Sequence, residues 1–299
     1  MSALASTITD SRTMLRRNLR RLQRYPSLTL ILIGMPIVFL LLFVYVFGGQ
    51  LSNGLGSALS GGHAGRDGYL NYVTPGILLI TVAAAVQGTA IVVAMDMTGG
   101  ITDRFRTMAI ARASVLAGHV LASFIQAMGG VAVVLAVAIA LGFRPTADPL
   151  QWLGAAGVLS LFAFGLIWLA VALGLAAKSV ETASNTPMIL TLLPFLSSAF
   201  VPTDTLPAGL RQFAAYQPFT PVTETVRGLL TGTHIGTNAI GAVAWSVGLT
   251  VVAYLWAVHL YTRTASHADR HASRRLRRGH CCRILRPSSA LPAASRWAV

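Results

Sequence analysis

The chain has 299 residues, of which 54% are hydrophobic and only 11% are charged. Soluble globular domains carry about 25% charged residues, so the composition excludes that class and favours a membrane protein. The net charge of +14 does not indicate a nucleic-acid-binding protein, because the basic residues flank apolar runs instead of forming the basic face of a folded domain.

Several apolar runs are long enough to cross a bilayer as helices, which takes about 20 residues. The alternating segments of about ten residues that build membrane β-barrels do not occur. We therefore predict an all-α polytopic membrane protein with six transmembrane helices, at residues 28–47, 73–95, 115–142, 152–177, 186–201 and 239–262. The fifth is the shortest and contains Pro187 and Pro194, so we expect it to be kinked, tilted or continuous with the next segment.

Residues 1–26 form the predicted cytoplasmic N-terminus. Leu15, Leu19 and Leu22 recur at helical spacing and are surrounded by six arginines. This pattern predicts a basic amphipathic helix that lies in the membrane interface and stops at Pro26. The alternative is a basic flank without a folded helix. The apolar run that follows is too long for a cleaved secretory signal, so we expect the first span to be retained.

The segment "GGITDRFRTMAIAR", residues 99–112, interrupts the apolar sequence between the second and third spans. Thr102 can cap a short helix there, with Phe105 and Met108 on one arc and Asp103 on the other. Such a helix either docks in a groove on another protein or lies against lipid headgroups. The residue pattern alone does not separate these two interpretations.

Few strongly polar side chains fall within the spans or at their borders, chief among them Gln87, Asp96, His119 and Gln126. A proton-coupled or sodium-coupled carrier is expected to have more of them. We interpret His119 as an interfacial or packing residue instead of a proton relay. The two glutamines are interpreted as residues that form hydrogen bonds between helices.

The sequence predicts no catalytic residues, no bound cofactor and no metal. Its single lysine, Lys178, follows Ala177 where a phosphate-binding loop needs glycine. The hydrolase motifs G-x-S-x-G and H-E-x-x-H are absent. The only two cysteines, Cys281 and Cys282, are adjacent, which favours neither a disulfide framework nor a metal site.

The segment after the fifth span predicts two short helices joined at "QPFTP". Pro207 and Pro221 suit helix starts, and Thr220 suits a helix cap. A carboxylate and a guanidinium follow at i, i+3 spacing, Glu224 and Arg227, which favours an ion pair on one helix face.

Basic residues are distributed unevenly between the two sides of the predicted bundle. One side holds 19 of the 23, including nine arginines from Arg263 onward. Because positive charge is retained in the cytoplasm, we predict a multi-pass protein of the cell membrane with both termini cytoplasmic. Residues 27–262 form the predicted transmembrane domain. Residues 263–299 have no sustained apolar period and predict a basic, disordered tail attracted to anionic lipid.

Two motifs resemble those of type-2 ABC exporter permeases, especially the daunorubicin-resistance type. "GGITDRFRTMAIARASVLAGHVLA" is similar to the first cytoplasmic loop of that family, in which a glycine and a polar pair commonly precede D-R, an apolar residue and R. "YQPFTPVTETVRGLLTG", residues 216–232, resembles the family's external N-P-[FL]-T-P segment, with Gln217 where asparagine is usual. The resemblance extends over residues 12–262.

The resemblance implies that the chain is the membrane half of an ABC exporter, with a coupling helix that fits a cleft in a separate ATPase subunit. The residues that it assigns to this helix are Thr102, Asp103, Arg104, Phe105, Arg106 and Met108. Phe105 and Met108 would be apolar anchors, and the charged residues would set the orientation at the rim. ATP and magnesium would bind to the ATPase partner.

The resemblance also implies that the external segment folds back into the membrane as a re-entrant gate. The gate residues are Gln217, Pro218, Phe219, Thr220, Pro221, Glu224 and Arg227. The alternative is a surface hairpin that has no role in gating.

The expected function is ATP-driven export of an amphiphilic drug, secondary metabolite or lipid by alternating access. The partners are an ABC ATPase subunit, a second permease copy or a paralogue, and membrane lipid, with no nucleic acid. Three alternatives stay open. They are a polysaccharide exporter of the same superfamily, an ATPase-independent channel or secondary carrier, and a membrane scaffold without transport activity.

Overall fold

The computed structural model describes residues 26–49, 66–98, 112–177, 179–203 and 206–260. The regular elements in these ranges are helices, which confirms the all-α fold. They are α1 (Pro26–Leu41, continued by the π-helical segment Leu42–Phe47), α2 (Arg66–Thr98), α3 (Arg112–Ala140), α4 (Pro149–Ala176), α5 (Val180–Asn185), α6 (Met188–Leu192, continued by the 3-10 turn Leu193–Leu196), α7 (Ala208–Tyr216), α8 (Phe219–Thr231) and α9 (Asn238–Leu260). The predicted N-terminal amphipathic helix, the loop 99–111 and the tail 263–299 lie outside the described residues.

Five of the described helices are long and apolar enough to cross a membrane, namely α1, α2, α3, α4 and α9. They correspond to the first four predicted spans and the sixth. The largest difference is in α2, which begins at Arg66 instead of residue 73 and has 33 residues. About 20 residues cross the hydrocarbon, so a helix of this length extends beyond it. The charged first turn, with Arg66 and Asp67, therefore need not enter the apolar layer.

The predicted fifth span, residues 186–201, is not one helix. Over this range the structure has instead the short helix α6, a 3-10 turn and further turns up to residue 200, and the short helix α5 precedes it. The breaks lie at Pro187 and Pro194, which lack the backbone N–H that a continuing helix needs. The single span is therefore corrected to a series of short helices.

The central helix of the bundle is α2. It contacts α1, α3, α4, α5 and α8, and most of its length is buried. Its contact with α4 is very close, because a Cβ added to Gly174 would lie 2.8 Å from the Ala90 carbonyl oxygen. Only glycine permits this approach, so the second half of α2 is held firmly against α4.

The two outermost helices, α1 and α9, expose most of their apolar side chains. In a membrane such faces meet lipid or another apolar helix instead of water. The chain forms one unit up to Val258, and of the second unit the structure describes only His259 and Leu260.

Candidate functional site

The predicted coupling residues fall outside the part of the chain that the structure describes. Thr102, Asp103, Arg104, Phe105, Arg106 and Met108 all lie between Thr98, where α2 ends, and Arg112, where α3 begins. Their assignment therefore stays a prediction. The structure does describe α2 and α3, the two helices on which any movement of this loop must act.

The second predicted site is the α7–α8 hairpin, residues 208–231, whose two helices are joined by Gln217 and Pro218. Pro207 stands immediately before α7, and Pro221 lies in the first turn of α8, as predicted. The helix α8 ends at Gly232, whose φ of 71° is a left-handed conformation that favours glycine. The prediction of two short helices joined at this point is confirmed.

Thr220 is not the cap that its position in the sequence predicts. Because α8 begins at Phe219, Pro218 occupies the cap position and Thr220 already lies inside the helix. Its hydroxyl donates a hydrogen bond to the Ala214 carbonyl oxygen of α7. The same hydroxyl accepts one from the Ser198 N–H, at 3.4 Å. The cap prediction is wrong, and Thr220 instead fastens α8 to α7 and to the segment after α6.

Gln217 links the hairpin to the 3-10 turn that follows α6. Its side chain is buried, and Nε2 donates a hydrogen bond of 2.7 Å to the Leu196 carbonyl oxygen. Its Oε1, and the hydroxyl of Ser198 two residues beyond Leu196, have no hydrogen-bond partner among the residues described. The interior of this region therefore keeps unused hydrogen-bonding capacity.

Arg227 is only 3% exposed. Its Nη1 donates a hydrogen bond of 2.6 Å to Glu224, which confirms the predicted i, i+3 pair. Its Nε and Nη2 donate to the Tyr72 carbonyl oxygen at 3.2 and 3.1 Å, and Nη2 also donates to the Ser198 carbonyl oxygen at 2.7 Å. The guanidinium carbon lies 3.8 Å from the centroid of the Tyr72 ring. We call these four residues the Arg227 clasp, since they join α8 to α2 and to the segment after α6.

These contacts offset the cost of burying a guanidinium group, which is high for an unpaired charge. A hydrogen bond to a charged group contributes about 1.5–3 kcal/mol. The Glu224 side chain is 30% exposed, so solvent screens its ion pair, and we expect it to contribute less than the backbone acceptors. The planar fork of arginine supplies donors in several fixed directions, which lysine cannot do.

The other predicted gate residues pack the hairpin onto the bundle. Phe219 is fully buried, and its ring meets that of Phe162 of α4 edge to face, with centroids 5.1 Å apart. Pro221 is buried against α9, where a Cβ added to Gly241 would lie 3.4 Å from the proline Cβ. Pro218 is half-buried. The structure thus brings all seven residues together in one hairpin.

The sequence does not reveal the two partners that join Arg227 to the rest of the bundle. Tyr72 is 155 residues away in the chain and Ser198 is 29 residues away. Both accept through main-chain carbonyl oxygens, which every residue has and which leave no signal in a sequence. The sequence contains only a general signal of such partners. An arginine close to apolar spans needs buried partners if it enters the bundle.

A second polar contact lies towards the other end of α2. His119 Nε2 of α3 is 3.3 Å from Asp96 Oδ2, and the two side chains are 9% and 7% exposed. Nearby on α2, Gln87 donates a hydrogen bond of 3.2 Å to the Ser184 carbonyl oxygen of α5, which confirms the predicted bond between helices. The bond predicted for Gln126 stays a prediction.

Within the described ranges, no group of three or more histidine, cysteine, aspartate or glutamate side chains could hold a metal ion. The polar groups that the structure brings together join helices to one another. Their geometry is suited to positioning helices relative to one another.

The ABC-2 type transporter family matches residues 9–231 of the chain, a range that includes both predicted sites. The daunorubicin resistance ABC transporter permease protein of Streptomyces coeruleorubidus is 29% identical over 250 residues, which are 83% of this chain and 82% of that protein. The "Probable doxorubicin resistance ABC transporter permease protein" of Mycobacterium tuberculosis is 27% identical over 270 residues, which are 88% of this chain and 92% of that protein. The chain therefore belongs to the ABC-2 type transporter family, as a membrane permease homologous to those of drug-resistance ABC exporters.

Proposed function

We propose that the chain exports an amphiphilic drug, secondary metabolite or lipid, driven by ATP hydrolysis on a separate subunit. Membership of the family already implies an ABC ATPase partner and, usually, a dimer of permeases. The two relatives are named for resistance to daunorubicin and doxorubicin. Those names support a cargo of similar amphiphilic character.

In this proposal the chain itself hydrolyses no ATP, and ATP with its magnesium binds to the partner. The helix at residues 102–110 lies in the cytoplasm, as do both termini, and docks in a cleft of the ATPase through Phe105 and Met108. Closure of the ATPase dimer around nucleotide moves this helix. Because nucleotide binds the closed state more tightly than the open one, its binding shifts the permease between inward-facing and outward-facing states.

Family membership supports the export itself, and the observation that carries the coupling between the loop 99–111 and the hairpin is the Arg227 clasp. It attaches the α7–α8 hairpin to the first turns of α2, and the loop 99–111 follows the last turn of the same helix. A displacement of α2 by the loop therefore acts on the hairpin as well.

The hairpin acts as a re-entrant gate on the external side. Polar backbone at membrane depth is tolerated where protein or a water-filled cavity shelters it. Gln217 Oε1 and the Ser198 hydroxyl have no hydrogen-bond partner among the described residues, which supports a gate that admits water or the polar groups of a cargo when it opens.

Transport of doxorubicin into inverted membrane vesicles tests the proposal. The vesicles contain the full chain together with its ATPase subunit, and the decrease of doxorubicin fluorescence in the bulk solution reports uptake. We expect uptake that requires ATP and magnesium and that is abolished when the phosphate-binding lysine of the ATPase subunit is replaced. Phe105→Ala should lower the uptake and the amount of ATPase that co-purifies with the permease.

Uptake that proceeds without the ATPase subunit would identify a channel or secondary carrier and overturn the proposal. A permease that never retains an ATPase in detergent, and whose transport is unchanged by Phe105→Ala or Arg104→Glu, would overturn the coupling helix. Accumulation of a polysaccharide in the vesicles, with no uptake of amphiphilic compounds, would assign a different cargo.

A further inference from the structure

The contact between Asp96 and His119 lies close to both ends of the loop 99–111. Asp96 is two residues before the end of α2, and His119 is seven residues after the start of α3. Their side-chain atoms are 3.3 Å apart, and both side chains are almost completely buried. The contact therefore joins the two helices from which the loop emerges.

The position of this contact matters because of how the rest of α2 is held. The second half of α2 is packed against α4 at Gly174 and linked to α5 by the hydrogen bond from Gln87 to Ser184. At the other end of the helix, Tyr72 belongs to the Arg227 clasp. Asp96 and Tyr72 are 24 residues apart, about 36 Å along a helix with a rise of about 1.5 Å per residue.

A force that arrives through the loop can act on α2 alone, on α3 alone, or on both. If the two helices were free to separate at their junction with the loop, the loop could move one of them and leave the other in place. A buried polar contact opposes this separation, because each group would have to leave its partner in a medium of low dielectric constant. Asp96 and His119 thus favour movement of α2 and α3 as one body.

We propose that Asp96 and His119 are positioning residues for energy coupling, which transfer the movement of the loop to both helices at once. Through α2 this movement then reaches the Arg227 clasp and the α7–α8 hairpin. This inference rests on the proposed function, since it assumes that the loop 99–111 receives the movement of an ATPase. It assigns a role in coupling to a pair that the sequence presented as two separate polar residues.

The test compares variants in the purified complex of the permease with its ATPase subunit, reconstituted in proteoliposomes. The single variants are Asp96→Leu and His119→Phe, which approximately keep the size of each side chain and remove its hydrogen-bonding groups. The exchange variant combines Asp96→His with His119→Asp. A matched control is Thr89→Val, which removes a buried hydroxyl on α2 that donates only within its own helix, to the Ala85 carbonyl oxygen.

Three quantities are measured for each variant: the amount of ATPase that co-purifies, the rate of ATP hydrolysis, and the number of doxorubicin molecules transported per ATP. We expect each single variant to assemble and to hydrolyse ATP, while transport per ATP falls about tenfold, a size typical of coupling between sites. The exchange variant should recover a large part of this ratio, and Thr89→Val should leave it unchanged.

A role restricted to stability predicts something different, namely a loss of assembled complex with an unchanged ratio in the complex that remains. That result, or an unchanged ratio in fully assembled single variants, would overturn the inference. If a single variant does not assemble, the exchange variant decides, since a working exchange variant shows that the contact and not either residue alone is needed. An exchange variant that assembles but stays uncoupled would contradict the inference.

Phe105→Ala, measured in the same assay, distinguishes a failure of the proposed coupling helix from a failure of the inference about Asp96 and His119. If Phe105→Ala lowers transport per ATP and the Asp96 and His119 variants do not, the proposed function stands and the inference fails. If Phe105→Ala changes nothing, the assignment of the coupling helix fails and the inference fails with it, while the ATP dependence of uptake still decides the proposed function.

Discussion

The guanidinium group of Arg227 lies over the ring of Tyr72 and also donates hydrogen bonds to the carbonyl oxygen of the same tyrosine. The Tyr72 hydroxyl in turn donates to the Ser198 carbonyl oxygen at 3.0 Å, an acceptor that it shares with Arg227. Three segments that are far apart in the chain therefore meet at one buried cation. The stability of the hairpin on the bundle depends on that cation and on its planar shape.

Replacing this cation by lysine tests the importance of its shape. Arg227→Lys keeps the charge but loses the fork that reaches two carbonyl oxygens. We expect a decrease of about 1–3 kcal/mol in the free energy of unfolding, because buried acceptors lose charged donors. Denaturant titration in mixed micelles provides the measurement. Arg211→Lys on the exposed face of α7 is the control and should have little effect. Equal stability of both variants would mean that the planar fork of Arg227 contributes nothing to the fold.

The approach of α2 to the segment after α6 is tested by adding a single methyl group. A Cβ at Gly76 would lie 2.5 Å from the Ala199 Cβ and 3.0 Å from its carbonyl oxygen. Gly76→Ala should therefore destabilise the protein by about 1–3 kcal/mol, as overpacking of a buried contact does.

Gly157→Ala on α4 is the matched control for Gly76→Ala. A Cβ at Gly157 meets nothing within 4 Å, and alanine favours a helix by about 1 kcal/mol over glycine. Its stability should equal or exceed that of the parent protein in the same titration. Adding Ala199→Gly to Gly76→Ala should recover part of the loss, and a double variant as unstable as the single one would argue against the close contact.

Two threonines on α8 allow a hydrogen bond between segments to be compared with a hydrogen bond within a single helix. Thr220 donates to the Ala214 carbonyl oxygen of α7 and accepts from the Ser198 N–H, whereas Thr223 donates to the Phe219 carbonyl oxygen in its own helix. Both side chains are buried. Thr220→Val should lower the free energy of unfolding by about 1–3 kcal/mol, because it leaves a buried N–H without its acceptor.

Thr223→Val should cost less, since the Phe219 carbonyl oxygen keeps its helical hydrogen bond. Limited proteolysis between α7 and α8 gives a second measurement, in which Thr220→Val alone should speed up cleavage near Gln217. The prediction is wrong if the two valine variants are cleaved and unfolded alike.

Truncation of the chain after residue 265 tests the role of the basic tail. The first unit of the fold ends at Val258, and the sequence beyond 263 has no apolar period that could bury a face. We expect the truncated protein to assemble with its ATPase and to transport doxorubicin at a rate close to that of the full chain. Loss of assembly, measured by co-purification, would show that the tail is part of the complex.

The sequence predicts well the features that depend on local pattern. The length of the apolar runs predicted five of the helices, and proline placement predicted the start of α7 and the first turn of α8. The i, i+3 spacing of Glu224 and Arg227 predicted their ion pair. Each of these depends on residues within a few positions of one another, so the chain itself carries the information.

The features that the sequence did not predict depend on distant contacts. Thr220 is a residue type that commonly caps helices, but here its hydroxyl links α8 to other segments. Its hydrogen-bond partners come from α7 and from the segment after α6. Asp96 and His119 were each visible as polar residues, but their pairing follows from how α3 packs against α2. The fifth span was uncertain because two prolines can either kink a helix or divide it, and tertiary packing decides between these outcomes.

The acceptors of Arg227 on Tyr72 and Ser198 are main-chain carbonyl oxygens. A mutation at residue 198 changes a side chain and leaves that acceptor in place, whereas a mutation of Arg227 removes all of its donors or, in the case of lysine, the planar fork that reaches both acceptors. Because Ser198 is buried, a small side chain at residue 198 preserves the contact with Arg227, whereas residue 227 must be arginine for the full set of hydrogen bonds. The attachment of the hairpin therefore tolerates small substitutions at residue 198 but depends on the side chain of Arg227.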